Sequence, residues 1–551
     1  MSGLRLFPTL LRTVSHLQPR QLRAQITHML RGYSRPSSDT GLAELSLGPL
    51  PRPFLEAPAH ARWHEGDVLE LIQTRVDFSS GMDWSHAASG PLWAYHLHNC
   101  DHLRERSLSP ERRTELILDW IRNHETGVGW DPHPISLRLV SWGKLLLMPD
   151  ALSLDEMKFN RISMSMANQA DTLQANLEFR LLANHLLSNL VGLVFAGLLF
   201  SGPRADRWLA NGSALIREMD LQFNDDGGHE ERSPMYHSLL LESLLDLLNL
   251  ARVRPERSSA ELVQGLESVC SRGLGALALY CHRDGDIALF SDSAFDIAPR
   301  FQSLVEYAHG LGVAPHALLS PGLLGSTGYA RLESDEFVLI ASVAGPSPEH
   351  QPGHAHCDAL AFELSCGEER VVTGMGVHEY VVGERRGLAR ATLSHATVEI
   401  DGAEQSEIWS AHRVGGRPRV VLEDHRPGHR VEASCAGWLT PDSIHCRTFI
   451  LDNDGLEIRD RLEGQSRPVR LSLPLHPGIQ ARLVHDQDGG AEAHLVLPSG
   501  RRMRLVLPIE AEWRIESHPY FPRFGQEIQR ERILGEAAAF ESGTWRFEWL
   551  D

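Results

Sequence analysis

The sequence of 551 residues predicts a multidomain α+β protein, with helical hairpins first and an antiparallel β-sandwich second. Three observations carry that expectation. From about residue 60 to 280, apolar residues recur at every third and fourth position, the period of amphipathic helices. Beyond about residue 330 the period falls to two, in short runs parted by Gly, Asp, Asn or Pro. The chain is also too long for one ordinary core.

The elements follow in order. Residues 1–50 open with MSGLRLFPTLLRTVSHLQPRQLRAQI, which is basic and amphipathic but has neither an apolar signal core nor a small-residue cleavage site. This stretch reads as a helical extension and linker. Residues 51–325 carry ERRTELILDWIRNH, SLRLVSWGKLLLM, the long NQADTLQANLEFRLLANHLLSNLVGLVFAGLLF and MYHSLLLESLLDLLNLARV, with no strands interleaved. Helices of this length suggest hairpins packed around a common centre. Trp84, Trp93, Trp120, Trp130 and Trp142 read mostly as packing residues, with one or two free to stack on a sugar face. Residues 281–330 are a transition within which a Pro/Gly-rich segment ends the helices. From 326 to 551 come FVLIASVAG, LAFELSCG, ERVVTG, ATVEIDG, RPRVVLED, HRVEASCAG, CRTFILDN, LEIRDRLEG and VRLSLPL, the spacing of a sandwich or barrel. A crevice between the two halves is the expected place for a ligand.

Composition narrows the function. A net charge of −19 argues against nonspecific binding to nucleic acid or to an anionic membrane surface. The basic residues are nearly all arginine, Lys144 and Lys158 being the lysines, and arginine suits carboxylates and sulfates. Seven cysteines without paired spacing fit reduced thiols. The most apolar run, Leu190 to Phe200, is too short to span a bilayer. A cytoplasmic location is favoured because no signal peptide is seen, with the periplasm as the alternative. There is no GxGxxG opening a βαβ unit and no P-loop, which argues against nucleotide chemistry.

Four stretches carry candidate chemistry. GHAHCDALAFEL reads as a strand, whose period of two places His354, His356, Asp358, Leu360 and Phe362 on one face. That face can hold a metal, a general base, or hydrogen-bonded histidines. FNDDGGHEERSPMYHSLLLE is a glycine turn rich in ionisable groups that leads into the helix carrying Tyr236, and it reads equally as a capped helix start. Asn184 and His185 lie on the long apolar helix, where buried amides need partners, from the protein or from a substrate. ARATLSHATVEIDGAEQSEIW puts His395 at a strand start, within reach of the His356 face across a sheet or simply hydrogen-bonded there.

Together with PLWAYHLHNCDHL, HPISLRLVSWGK and DGDIALFSDSA, these stretches resemble the heparinase II/III family of polysaccharide lyases and similar bacterial proteins over roughly residues 85–410. The resemblance implies an incomplete α/α toroid followed by the sandwich. It implies Tyr236 as general acid, with a role as base left open, and His354 as a second base. Asn184, with His185 as the alternative, would neutralise the substrate carboxylate. It also implies a structural zinc on His356 and His395. The family's aspartate, however, falls near Thr373 or Gly374, and its asparagine on Ala396, which speaks against the metal.

The expected function is therefore β-elimination on a uronic-acid-containing polysaccharide, with no cofactor required and an acidic polysaccharide or oligosaccharide as partner. An amide or imidazole on the carboxylate favours the enolate-like charge that develops at C5. His185, Glu230, Arg232 and Arg390 are the expected substrate contacts. The negative net charge makes a carboxylated exopolysaccharide more attractive than a densely sulfated one. Two alternatives remain: a noncatalytic sugar-binding or assembly protein for surface-polysaccharide production, and hydrolysis by Glu230 or Glu231 with Asp225 or Asp226.

Overall fold

Helix starts in the first half are written locally. Ser109, Asp155, Ser233 and Ser259 each accept a hydrogen bond from a backbone N–H in the first turn of the helix that follows. Proline occupies the start of the first and third of these. The computed structural model describes residues 3–34, 44–45, 49–452, 455–485 and 490–550. Its helical half is an incomplete α/α toroid, in which Pro132–Leu147 packs on Ala183–Leu199, which packs on Pro234–Arg252, which packs on Ala260–Tyr280. Gly192 permits the first of these crossings, because a Cβ there would lie 2.9 Å from both Cα and carbonyl oxygen of Ser136.

Two readings of this half need correction. A three-stranded antiparallel sheet, Ala61–His64, Val68–Leu71 and Thr74–Asp77, stands ahead of the helices, where no strand was expected. The long apolar stretch is two helices, Glu156–Ala175 and Ala183–Leu199. Between them the backbone turns through left-handed Leu182 (φ 61°) and Ala183 (φ 46°). Asn184 therefore sits in a first helical turn, not mid-helix. Trp84, Trp93, Trp120 and Trp142 are buried, and none of the five tryptophans singled out from the sequence lines the interdomain cleft.

The second half is antiparallel throughout its three large sheets. An eight-stranded sheet faces a five-stranded and a four-stranded sheet, the last two linked by the bridge between Val372 and Leu475. One apolar core draws on all three, with Leu339, Leu364, Phe449, Leu471, Leu505 and Ile533 fully enclosed. All seven cysteines are buried and unpaired by disulfides.

The histidine segment departs from its expected form. The strand covers only Phe362–Cys366, and His354, His356 and Asp358 lie in irregular backbone ahead of it. Alternation along a strand therefore does not bring them together. The segment DGDIALFSDSA does, by lying against it: Asp292 N donates to the His354 carbonyl at 2.9 Å, Ser291 N to Asp358 at 2.9 Å and Leu289 N to Glu363 at 2.8 Å. The helical core itself runs on into Tyr329, Val338, Ile340 and Phe524 of the second half, so the two halves share apolar packing.

Gly192→Ala should destabilise the protein. Alanine's helix preference is worth about 1 kcal/mol, but displacing the Ser136 backbone costs about 1–3 kcal/mol. Gly212→Ala, with open space around it, is the control in a thermal melt. Equal midpoints for both variants would show that the crossing is not tight.

Candidate active site

The cleft between the halves encloses a cavity of about 610 Å³, walled by His133, Asn184, His185, Glu231 and Tyr236 from one side and His354, Tyr380 and His412 from the other. Tyr236 enters from the first turn of Pro234–Arg252, fixed by the Ser233 cap. Its ring lies against His354 with centroids 4.1 Å apart, and its hydroxyl is 3.0 Å from that of Tyr380. Burial pushes the Tyr236 phenol above its ordinary range, so the resting group is protonated.

His354 is oriented by Asp292, whose Oδ2 lies 2.9 Å from His354 Nδ1. The same carboxylate takes His356 Nε2 on its other oxygen at 2.9 Å and the Arg386 guanidinium on both. Asp292 is fully buried. Burial alone would raise its pKa, but Arg386 and then the two histidines hold the carboxyl well below the ordinary range. A carboxylate accepts only, so Nδ1 carries a proton, which in the neutral ring leaves the lone pair at Nε2. That atom faces Asn184 Nδ2 at 3.4 Å, and the Asn184 amide also donates to both oxygens of Glu231 at 2.8 and 2.9 Å. Leu182, Ala183, Arg232, Ser291 and Leu360 all adopt left-handed backbone near this cluster. Strain of this kind persists where the surroundings over-determine it.

The remaining sequence-derived residues divide. His185 lines the cleft. Burial lowers its pKa, but the Glu178 carboxylate 3.2 Å away outweighs that and raises it. Glu230, Arg232 and Arg390, expected as substrate contacts, lie outside the cleft wall. Glu230 sits among Glu231, Glu218 and Arg20, and burial followed by the neighbouring carboxylates raises it to about 8. Arg232 donates to the carbonyls of Gly345 and Gly328 and to Ser342 Oγ. Arg390 donates to the carbonyls of Ala355 and Ala411. Both arginines brace backbone turns. Asp226 is held by Thr327 and Gly228 N, so of the carboxylates considered for hydrolysis only Glu231 reaches the cleft. Asp292, Tyr380, Arg386 and His412 were missed. DGDIALFSDSA was noticed as a motif, yet nothing in its spacing marks which aspartate turns inward.

The rings of His356 and His395, which the resemblance gives to a zinc, are 5.3 Å apart; His356 Nε2 lies 2.9 Å from Asp292, whereas His356 Nδ1 is buried without a hydrogen-bond partner among the described residues. Near Thr373 and Gly374, where the resemblance puts the family's aspartate, the Thr373 hydroxyl and carbonyl and the Gly374 carbonyl all accept from the buried Arg530 at 3.0 Å. A fixed cation stands there instead of a carboxylate. Among the described residues two other groups have metal-like spacing, His133 with Glu178 and His185, and Asp292 with His354 and His412, their ligand atoms within 4.8 Å of one another. Each is partly closed by its own hydrogen bonds: His185 and Asn189 donate to Glu178, and His354 donates to Asp292.

Two family models match the chain, one described as Heparinase II/III N-terminus over residues 118–296 and one as Heparinase II/III-like, C-terminal over residues 319–549. The chain is 24% identical over 478 residues to FtsZ-localized protein C of Caulobacter vibrioides (strain NA1000 / CB15N), covering 79% of this chain and 78% of that protein. It superposes on a crystal structure of heparinase III with a TM-score of 0.65 at 17% identity, covering 86% of this chain and 79% of that one. For heparan sulfate lyase HepC from Pedobacter heparinus the TM-score is 0.57 at 16% identity, covering 96% and 88%. At these identities the structural likeness is one of fold.

Two predictions follow from the cluster. Asp292→Asn strands Arg386 and should cost about 3–5 kcal/mol; a melting curve matching the unsubstituted chain would contradict the ion pairing. The second concerns pH. Burial is the leading cause that lowers His133 and His412 to about 3, and His102 and His237 to about 4. Unfolded, these rings take up protons near pH 6.5, so below that the unfolded chain binds more protons than the folded one. Stability therefore rises with pH across this window. Glu230, Asp246 and His185 act oppositely, since their pKa values are raised, but the histidines lowered by burial, which also include His350, His476 and His518, outnumber them. The melting temperature should climb from about pH 5 to about pH 6.5, and a flat or falling profile would contradict this.

Proposed function

The chain belongs to the heparinase II/III-like family, and from that premise we propose that its cleft cleaves a uronic-acid-containing polysaccharide by β-elimination. The supporting observation is the meeting of three groups from distant parts of the chain. The Tyr236 ring lies against His354 at a tilt of 32°, and the Asn184 amide nitrogen stands 3.4 Å from His354 Nε2. His354, held as the Nδ1–H tautomer by Asp292, is the base that removes the C5 proton. Tyr236, protonated at rest, is the acid that delivers a proton to the departing O4. Tyr380 places a second hydroxyl against it. Asn184 turns an N–H toward the space beside His354, where it meets the substrate carboxylate as charge develops there. Arg413 lines the same cleft and suits a second acidic group on the polymer. No water takes part in the bond cleavage, and of the four carboxylates considered for hydrolysis only Glu231 lines the cleft.

A second reading, sugar binding without turnover in surface-polysaccharide production, draws on Glu231. That carboxylate already engages the amide meant for the substrate. One experiment separates the two. Heparan-type, chondroitin-type, alginate-like and bacterial uronic-acid polysaccharides are incubated with the protein, and the ultraviolet absorbance of the unsaturated uronate product is followed. Turnover should fall by roughly 10²–10⁴ in Tyr236→Phe, with its melting temperature unchanged, and in His354→Ala. Binding with no chromophore on any polymer would favour the second reading.

A further inference from the structure

The first two helices, Gly3–Ser15 and Pro19–Arg31, are amphipathic, yet they are docked with the polar side inward. Thr9 Oγ1 and Arg12 Nε each donate to Glu407 at 2.8 Å, and the Arg12 guanidinium lies over Trp438. Trp409 Nε1 donates to the buried Thr13 hydroxyl at 3.0 Å, and Arg20 Nη1 to Glu218 at 2.6 Å. The apolar residues point the other way. Phe7, Leu10, Leu11 and Val14, spaced as one helical stripe, are 38–61% exposed. Leu22, Ile26, Met29 and Leu30 form a second stripe at 38–81%. Burial in a core explains neither stripe, and apolar patches this dense mark an interaction surface.

The charge of the segment selects the partner. Residues 1–38 hold six arginines and no acidic residue, although the whole chain carries a net charge of −19. Arg23 and Arg31, on the helix with the more exposed stripe, are themselves exposed and make no ion pair with a described residue. A second copy meeting this face would set arginines against arginines. An anionic lipid surface would meet both the apolar stripes and the cations. Thirteen residues give each helix roughly 20 Å of length, short of the bilayer core, and no described helix is long and apolar enough to cross a membrane. We propose that this helical hairpin is a peripheral membrane-binding element that lies in the headgroup layer of an anionic bilayer. The overall negative charge then orients the protein, since the rest of the surface is repelled.

The test is co-sedimentation of the full chain with vesicles of phosphatidylglycerol and phosphatidylcholine, or of phosphatidylcholine alone. The unsubstituted protein should pellet with the anionic vesicles at least about tenfold more strongly, and less so as salt rises. Leu11→Glu with Leu30→Glu should abolish pelleting, and Arg23→Glu with Arg31→Glu should remove the lipid preference. All four positions are exposed, and unchanged melting curves confirm that the fold survives. Protein that stays in the supernatant with anionic vesicles overturns the proposal. So does a dimer in sedimentation equilibrium that Leu11→Glu with Leu30→Glu dissociates without any lipid binding, which would make this face a contact between copies.

Discussion

One buried carboxylate organises the centre of the molecule. Asp292 accepts from His354, His356 and Arg386, three groups from two stretches of the second half, while its own backbone belongs to the segment that leaves the toroid. A single anion in a dry setting is costly, and it is stable here because each of its oxygens is matched by donors, one of them permanently charged. Remove that match and the two walls of the cleft lose their common reference.

A second buried acid repeats the device nearby. Glu363 accepts from Leu289 N at 2.8 Å and Gly374 N at 2.7 Å, lies 3.1 Å from His282 Nε2 and pairs with Arg370. Arg370 in turn holds Asp284. The stretch from 282 to 292 is thus fastened to the sandwich by polar contacts at several points along its length, within an interface whose other contacts are apolar. Apolar packing alone lets two surfaces slide, whereas a charged ladder fixes register. That register places Tyr236 over His354.

The sequence disclosed the large pattern well, because period is a local property. The change from three-and-four spacing to two divides the chain where helices give way to strands, and Ser233 with Pro234 announces the helix that carries Tyr236. Tyr236, His354, Asn184 and His185 all reach the cleft. What stayed hidden is what depends on distant neighbours. Glu230 and Glu231 are adjacent and alike in sequence, yet the turn sends one outward toward Arg20 and the other to Asn184. Arg232 and Arg390 look like anion binders but lie outside the cleft wall and donate to backbone carbonyls. The inverted face of the first helices was also hidden, since a helical stripe reads the same whether it faces a core or solvent.

The cleft's components arrive at widely separated moments in the making of the chain. Tyr236 emerges with the helices, His354 and Tyr380 follow much later, and Phe524, which also lines the cavity, comes among the last strands. Gly376 is held by a bridge to Phe521 from that same late segment. A chain still leaving the ribosome therefore has helices and a partial sandwich, with a groove that lacks the Phe524 wall. The wall of the cavity is therefore completed only near the end of synthesis, when Phe524 is added.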